Sequence, residues 1–274
     1  MLLPHFCGGL GNRMFQLASV YGMARDSGHT FGINPRITDG NAHTGSAYFD
    51  TVFAGWSDLF TEAEPSQSRI YREGQKAAIF NWRRELPAPE TTALLTGYYQ
   101  HETYFRAHRD EIFARFNWGS QEHLTALTAK YPHLDNAIFL HVRRGDYLHP
   151  NHQWLHYIPL EKYYKKCLKS VKKQLYGEPM PHIYVFTNDI PYCQTAEFLQ
   201  GHEFTVVDEN EIDSLYLMSR CSEGGIAANS SFSWWGLYLN PKRKHLFLPA
   251  KWFTDPEFNT GGLYFKESTK ISVD

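Results

Sequence analysis

From residue 134 onward the chain repeats one pattern: a short apolar run, a polar exit, then a segment with helical spacing. The runs are "AIFLHV" (137 to 142), "IYVF" (183 to 186), "FTVV" (204 to 207), "GIAA" (225 to 228) and "HLFL" (245 to 248). Helix candidates lie between them: Leu160 to Tyr176, Pro191 to Leu199, Ile212 to Ser219 and Phe232 to Leu239. Apolar runs this short, alternating with helices, build a parallel sheet covered on both faces, so the pattern predicts an α/β, doubly wound second half.

The first half is less regular. "GGLGNRMFQLASVYGMARDSG" reads as a glycine turn opening a helix, with Leu10, Met14, Leu17 and Tyr21 at helical spacing and Gly28 closing it. Residues 31 to 70 read as a loop-heavy insertion, and "ALLTGYY" as a strand followed by an amphipathic helix. A chain of 274 residues sits near the size at which one core divides into two. The predicted lobes are 1–132 and 133–274, with the boundary near Pro132 and the last ~20 residues packing back on the first lobe.

Composition narrows the function. With 27 Lys+Arg against 29 Asp+Glu there is no broad cationic surface for nucleic acid or an anionic membrane, so anion recognition has to be local. The N-terminal stretch has no basic leader and no segment approaches a membrane span, which predicts a cytoplasmic protein, with peripheral placement at the inner membrane left open. Cys7, Cys167, Cys193 and Cys221 are widely spaced without a CxxC, which favours ordinary buried thiols over a zinc site or a disulfide frame. Aromatic residues make up 16 % of the chain, which suits either extra core or a saccharide-stacking surface.

In an open parallel sheet, ligands bind beyond the carboxyl ends of the strands, where loops vary and helices begin. Polar residues collect at those exits: Arg143, Arg144 and Asp146 after the first run, "TND" (187 to 189) after the second, Asp208 after the third and "NSSFSWW" (229 to 235) after the fourth. Each has a plain reading alone. The arginine pair could be salt-bridge partners, Asn229 to Ser231 a helix cap, His141 a core histidine, Asp213 a cap, and Trp234 and Trp235 wedges between sheet and helix. Arginine presents a fork of donors to phosphate, and a helix start offers hydroxyls and backbone N–H groups to the same kind of anion. Their coincidence outlines a diphosphate pocket.

In order, "GGLGNRMFQLA", "HVRRGDY", "VFTND" and "ANSSFSWWGLYLN" closely resemble the bacterial α-1,2-fucosyltransferases, glycosyltransferase family 11. The resemblance implies a GT-B-like fold, two Rossmann-like lobes with a cleft between them, the C-terminal lobe holding GDP-fucose. It implies that Arg143 clasps the β-phosphate, that His141 helps to hold the nucleotide and that Asn229, Ser230 and Ser231 line the diphosphate. Asn188 and Asp213 would address the ribose or guanine, while Gly9, Gly11 and Asn12 form a glycine turn from which Asn12 reaches the sugar-phosphate. Arg144 and Asp146 match the motif, with supporting roles open to them. Three places depart from the pattern: Arg13 where Gln is common, "FTND" where "FSDD" is typical, and "PHFC" in place of a longer first strand.

The activity so implied is inverting transfer of L-fucose from GDP-β-L-fucose to O2 of a galactose-terminated oligosaccharide, in surface glycan synthesis. Another linkage or acceptor, and a non-catalytic glycan- or nucleotide-binding protein, are the alternatives. Negative charge grows on the departing diphosphate, and preorganised donors can stabilise it. The sequence contains no D-x-D, so arginine and a helix start are expected to serve without a metal or other cofactor. Arg143, Asp146 and Asn12 are the catalytic candidates. Asp146 is the carboxylate nearest the arginines for a general base, with glutamates and histidines of the first lobe equally available. The loops of residues 31 to 90 are expected to set the acceptor.

Overall fold

A computed structural model describes residues 1–39, 47–65, 70–73, 86–242 and 244–274. The loop-heavy stretch of 31 to 70, and the acceptor loops expected between 31 and 90, therefore fall partly outside the described residues. The chain divides into two compact units: Met1–Gly119 with Glu257–Leu263, and Ser120–Pro256 with Tyr264–Asp274.

The first unit is built on a parallel sheet of β1 (Leu2–Pro4), β2 (Ile70–Arg72) and β3 (Ala93–Thr96), in the order β1-β3-β2. A helix over Leu10–Ser27 starts from Gly9 and stops at Gly28, whose φ of 72° closes it with an N–H to the Ala24 carbonyl. The helix carries the expected spacing of Leu10, Met14, Leu17 and Tyr21 and is buried nearly all round, Arg13, Gln16 and Ser19 included. Gly22 shows why it is so enclosed: a Cβ there would come within 2.1 Å of the Tyr104 carbonyl oxygen. The segment after β3, read as one amphipathic helix, is drawn in at Tyr104 and Phe105 and splits into two 3-10 turns, Glu102–Tyr104 and Arg106–His108, before the helix Arg109–Ala114.

The second unit is a six-stranded, wholly parallel sheet of β4 (Ala137–Val142), β5 (His182–Thr187), β6 (Phe204–Val207), β7 (Gly224–Ile226), β8 (His245–Pro249) and β9 (Thr269–Ile271). Its order is β6-β5-β4-β7-β8-β9, so the chain winds outward from β4 in one direction and resumes on its other side at β7. Counted from β4 this is the 3-2-1-4-5-6 order of a dinucleotide-type Rossmann sheet. All six residues of β4 are buried, as a central strand covered on both faces requires. Helices over Glu161–Gln174, Glu211–Arg220 and Ser231–Tyr238 follow the expected positions, while the fourth shrinks to Ile190–Thr195 plus a 3-10 turn. Trp234 and Trp235 are fully buried.

Two boundaries differ from the sequence reading. The division falls at Gly119/Ser120, not near Pro132, because the helix Gln121–Ala129, capped by Ser120, is tied to the second unit. His123 hydrogen-bonds Asp213 at 2.8 Å, and Lys130 pairs with Glu209 at 3.1 Å. Of the chain's last ~20 residues only Glu257–Leu263 belong to the first unit, where Gly262 abuts Gln100 and His101; Tyr264–Asp274 return to the second and supply β9. The four cysteines are free, and Cys167, Cys193 and Cys221 are buried. Among the described residues, no helix is long and apolar enough to cross a membrane.

Candidate functional site

The switch in winding direction lies between β4 and β7, which pair through Phe139↔Gly225 and Leu140↔Ile226. Their carboxyl ends deliver Arg143 on one side and Ala227 to Ser230 on the other. Loops at such a point diverge, one returning over each face of the sheet, and leave a crevice for a ligand.

Arg143 is held as a fork. Its Nε and one Nη donate to the two carboxylate oxygens of Asp146 at 2.7 and 2.8 Å. That engages two of the guanidinium's five N–H groups and leaves the others for an oxyanion. Burial works against the Arg143 charge, yet the Asp146 hydrogen bonds outweigh it and hold its pKa above the ordinary guanidinium value. Burial likewise opposes the Asp146 charge, and the same bonds hold that carboxyl below its ordinary range. Asp146 therefore aims the arginine and is a weak proton acceptor.

Asn188 fixes the turn between them. Its Oδ1 accepts from the backbone N–H groups of Arg144 (2.9 Å) and Gly145 (3.2 Å), and its Nδ2 donates to Asp146 at 3.1 Å. The approach needs glycine at 145, where a Cβ would sit 2.6 Å from the Asn188 Nδ2. Arg144 points elsewhere: its Nε donates to Asp189 at 3.1 Å and its guanidinium lies 3.7 Å from the centre of the Tyr192 ring. Asp189 also caps the next helix at the Tyr192 N–H, so Arg144 binds the β4 exit to the β5 exit.

Tyr147 joins Arg143 to the β7 exit. The guanidinium stands 5.5 Å from its ring centre, its hydroxyl donates to the Asn229 carbonyl at 3.0 Å, and it also pairs with the Ser230 side chain. Ser230 is the residue before the helix Ser231–Tyr238, and its hydroxyl makes no capping bond to that helix. Asn229, 2 % exposed, is locked by donation to the His156 and Trp252 carbonyls at 2.8 and 2.9 Å. His141 is buried one strand-turn before Arg143, with Nδ1 2.8 Å from the Ser233 hydroxyl. Burial first, then the Arg143 charge, pushes its pKa down to about 3, so the imidazole is neutral throughout the working range. Tyr163 and Tyr164 complete the floor, donating to the carbonyls of Ala227, Phe247 and His141.

The structure thus brings Arg143, Arg144, Asp146, Asn188, Asn229, Ser230 and His141 to three neighbouring strand ends, those of β4, β5 and β7. Ser231 follows as the first residue of the helix. Asp213 is not among them: buried, it accepts from Asn210 (2.7 Å) and lies 2.8 Å from a His123 ring nitrogen, the cap-like arrangement weighed from the sequence. Gly9, Gly11 and Asn12 belong to the first unit, where Gln100 donates to the Asn12 Oδ1 at 2.8 Å. Tyr147, Asp189 and Glu211 were missed. Tyr147 sits inside the quoted "HVRRGDY" and Asp189 inside "TND", so their positions were visible although their contacts were not. Glu211, whose charge is felt at Arg143, had no local signal. Among the described residues no group of three His, Cys, Asp or Glu is placed to hold a metal ion.

A Rossmann-ordered parallel sheet with a fixed guanidinium and a helix start at its switch point gives the second unit the form of a nucleotide-binding fold. The chain belongs to glycosyl transferase family 11, whose model matches residues 81–270. It is similar to the O-antigen biosynthesis glycosyltransferase WbnK of Escherichia coli, 31 % identical over 58 % of this chain and 55 % of that protein, so the match spans about half of WbnK. An alpha-1,2-colitosyltransferase of Escherichia coli is 25 % identical over 95 % of both. Among solved structures, the fucosyltransferase NodZ from Bradyrhizobium superposes with a TM-score of 0.54 at 17 % identity, over 88 % of this chain and 93 % of that one. The α/β, GT-B-like class expected from the sequence is the class found.

Proposed function

We propose that this protein transfers L-fucose from GDP-β-L-fucose to O2 of a terminal β-galactoside, with inversion and without a metal ion. The observation that carries this reading is the meeting of Arg143 and Ser230 on Tyr147 at the switch point. The family assignment supports sugar transfer, the name of the E. coli relative supports an α-1,2 linkage, and the motif resemblance supports the galactoside.

In this mechanism the three N–H groups of Arg143 not turned to Asp146 receive the diphosphate, with the Ser230 and Ser231 segment donating from the other side. Charge that develops on the leaving group meets donors already fixed by Asp146, Asn188 and Tyr147, so little reorganisation is needed during the reaction. Arg144 and Asp189 hold the two strand exits at their spacing. Neutral His141 keeps Ser233 and the first helical turn in place and adds no competing positive charge.

The test is incubation with GDP-fucose, a galactosyl disaccharide and EDTA. Formation of an α-1,2-fucosylated product is the expected result, and absence of product on every galactoside would reject the reading. A second reading replaces fucose by colitose, its 3-deoxy analogue, and is favoured by the alpha-1,2-colitosyltransferase that aligns over 95 % of the chain. Competing GDP-fucose against GDP-colitose in one reaction separates the two by product mass.

A further inference from the structure

Among the described residues Arg13 is a buried cation without a counter-ion. It is 1 % exposed, its Nε donates to the Gly8 carbonyl at 2.9 Å, and its Nη1 has no hydrogen-bond partner. The guanidinium also lies 5.7 Å from the centre of the Tyr48 ring, and among the described residues no carboxylate pairs with it within 4.0 Å. Arg13 is the fourth residue of the Leu10–Ser27 helix, and its side chain runs back over the first turn, as helical side chains do. That turn adds to the positive potential: Gly9 offers no capping side chain and the first turn contains no acid. Gly8, in the left-handed region at φ 71°, turns its carbonyl onto Arg13, and Gly8 and Gly9 are themselves partly exposed in front of it. At the end of β1 burial is the main influence, lowering the His5 pKa and raising that of the Cys7 thiol; the Arg13 charge adds a small lowering at both, and exposed Asp39 acts in the opposite sense. A fully buried charge lacking a partner is costly, and an oxyanion supplied by a ligand is what would complete this arrangement.

We propose that the first unit holds an oxyanion on Arg13 and the N-terminal turn of the Leu10–Ser27 helix, and that this oxyanion is the carboxylate or phosphate of an acidic acceptor glycan. The proposal deepens, and rests on, the transferase reading above, in which the donor diphosphate is met by Arg143 in the second unit. Calorimetric titration of the whole chain, without donor, compares a neutral galactosyl disaccharide with the same disaccharide bearing a glucuronate. The acidic sugar should bind roughly 10- to 100-fold more tightly, the factor expected of a hydrogen bond to a charged group. Arg13→Gln should remove that preference and leave GDP-fucose binding unchanged, and Arg13→Lys should keep part of it. In thermal melts without ligand Arg13→Gln should unfold no lower than the parent, since an unpaired buried charge has been removed. Equal binding of the two sugars, retention of the preference in Arg13→Gln, or a lower melting temperature would each overturn the proposal. Weakened GDP-fucose binding in Arg13→Gln would do so too, by assigning the anion to the donor. Tight binding of the acidic sugar with no transfer from GDP-fucose would leave the anion site standing and defeat the transferase reading.

Discussion

Arg143 and the residues that aim it set the first tests. In the proposed reaction Arg143→Ala would remove the fork that meets the departing diphosphate, and loss of one such donor costs about 10²–10³ in kcat. Arg143→Lys should recover little, because a single ammonium cannot hold Asp146 at 2.7 and 2.8 Å and a phosphate together. Steady-state kcat for both variants checks this, and a lysine variant near parental activity would mean that charge alone suffices. Asn188 invites a subtler substitution. As asparagine it accepts two backbone N–H groups and still donates to Asp146; as aspartate it would put a second carboxylate 3.1 Å from the first. Two carboxylates that close cannot both ionise without cost, so the pKa of one rises. Asn188→Asp should lower kcat/KM about tenfold at neutral pH and shift the optimum to lower pH, where one shared proton restores the hydrogen bond. A parental pH profile in that variant would show that Asn188 does not govern Arg143. Residue types at this site were legible because polar groups at strand exits stand out against apolar runs. The division of labour was not, since whether Asp146 takes a proton or orients an arginine depends on side-chain geometry, on its bonds to Arg143 and on the Asn188 bond from a segment 42 residues away.

At the level of elements, the switch point depends on a strand with almost no side chains. Gly225 on β7 lies opposite Phe139 on β4, and a Cβ there would come within 2.1 Å of the phenyl ring. Gly225→Ala forces either the ring or the strand to move, and overpacking of this kind costs about 1–3 kcal/mol. A urea titration should show a lower midpoint at an unchanged slope, and a parental midpoint would mean that Phe139 repacks freely. Strands β4, β5, β7 and β8 could be read directly, because central strands buried on both faces leave continuous apolar runs, and β6, although an edge strand with Thr205 exposed, still shows the run "FTVV". β9, with the sequence "TKI", could not: an edge strand with two exposed residues carries no such run. Nor was the helix Gln121–Ala129 assigned to its unit, since Leu127 is its only buried residue and its attachment runs through polar pairs distant in sequence, His123 with Asp213 and Lys130 with Glu209. The first unit was read least well. β1 and β2 have three residues each, too short for periodicity, and they pair through β3, whose position in sequence lies far from β1.

Across the whole molecule the charges nearly cancel, so acid stability is governed by buried histidines more than by net charge. Eight of the fourteen, His5, His29, His101, His141, His156, His182, His202 and His245, have pKa values lowered in the folded state, in every case chiefly by burial. A group whose folded pKa lies below its unfolded value stays deprotonated in the fold while the unfolded chain takes up a proton. Its contribution is therefore complete above the unfolded value of 6.5 and is lost as pH falls below it, down to the folded value. For His141 that window extends to about 3, with a slope approaching about 1.4 kcal/mol per pH unit while only the unfolded state is protonated. Asp146, held low, adds a further loss beneath the ordinary carboxylate range; Glu73, raised by burial, works the other way as its cost is relieved in acid. Urea unfolding should thus give nearly constant stability from pH 8 to 7 and a steep decline from 6.5 to 5. His141→Asn, which cannot titrate but can still hydrogen-bond Ser233, should flatten that decline, whereas equal slopes in parent and variant would show that the His141 ring takes up its proton in the folded state.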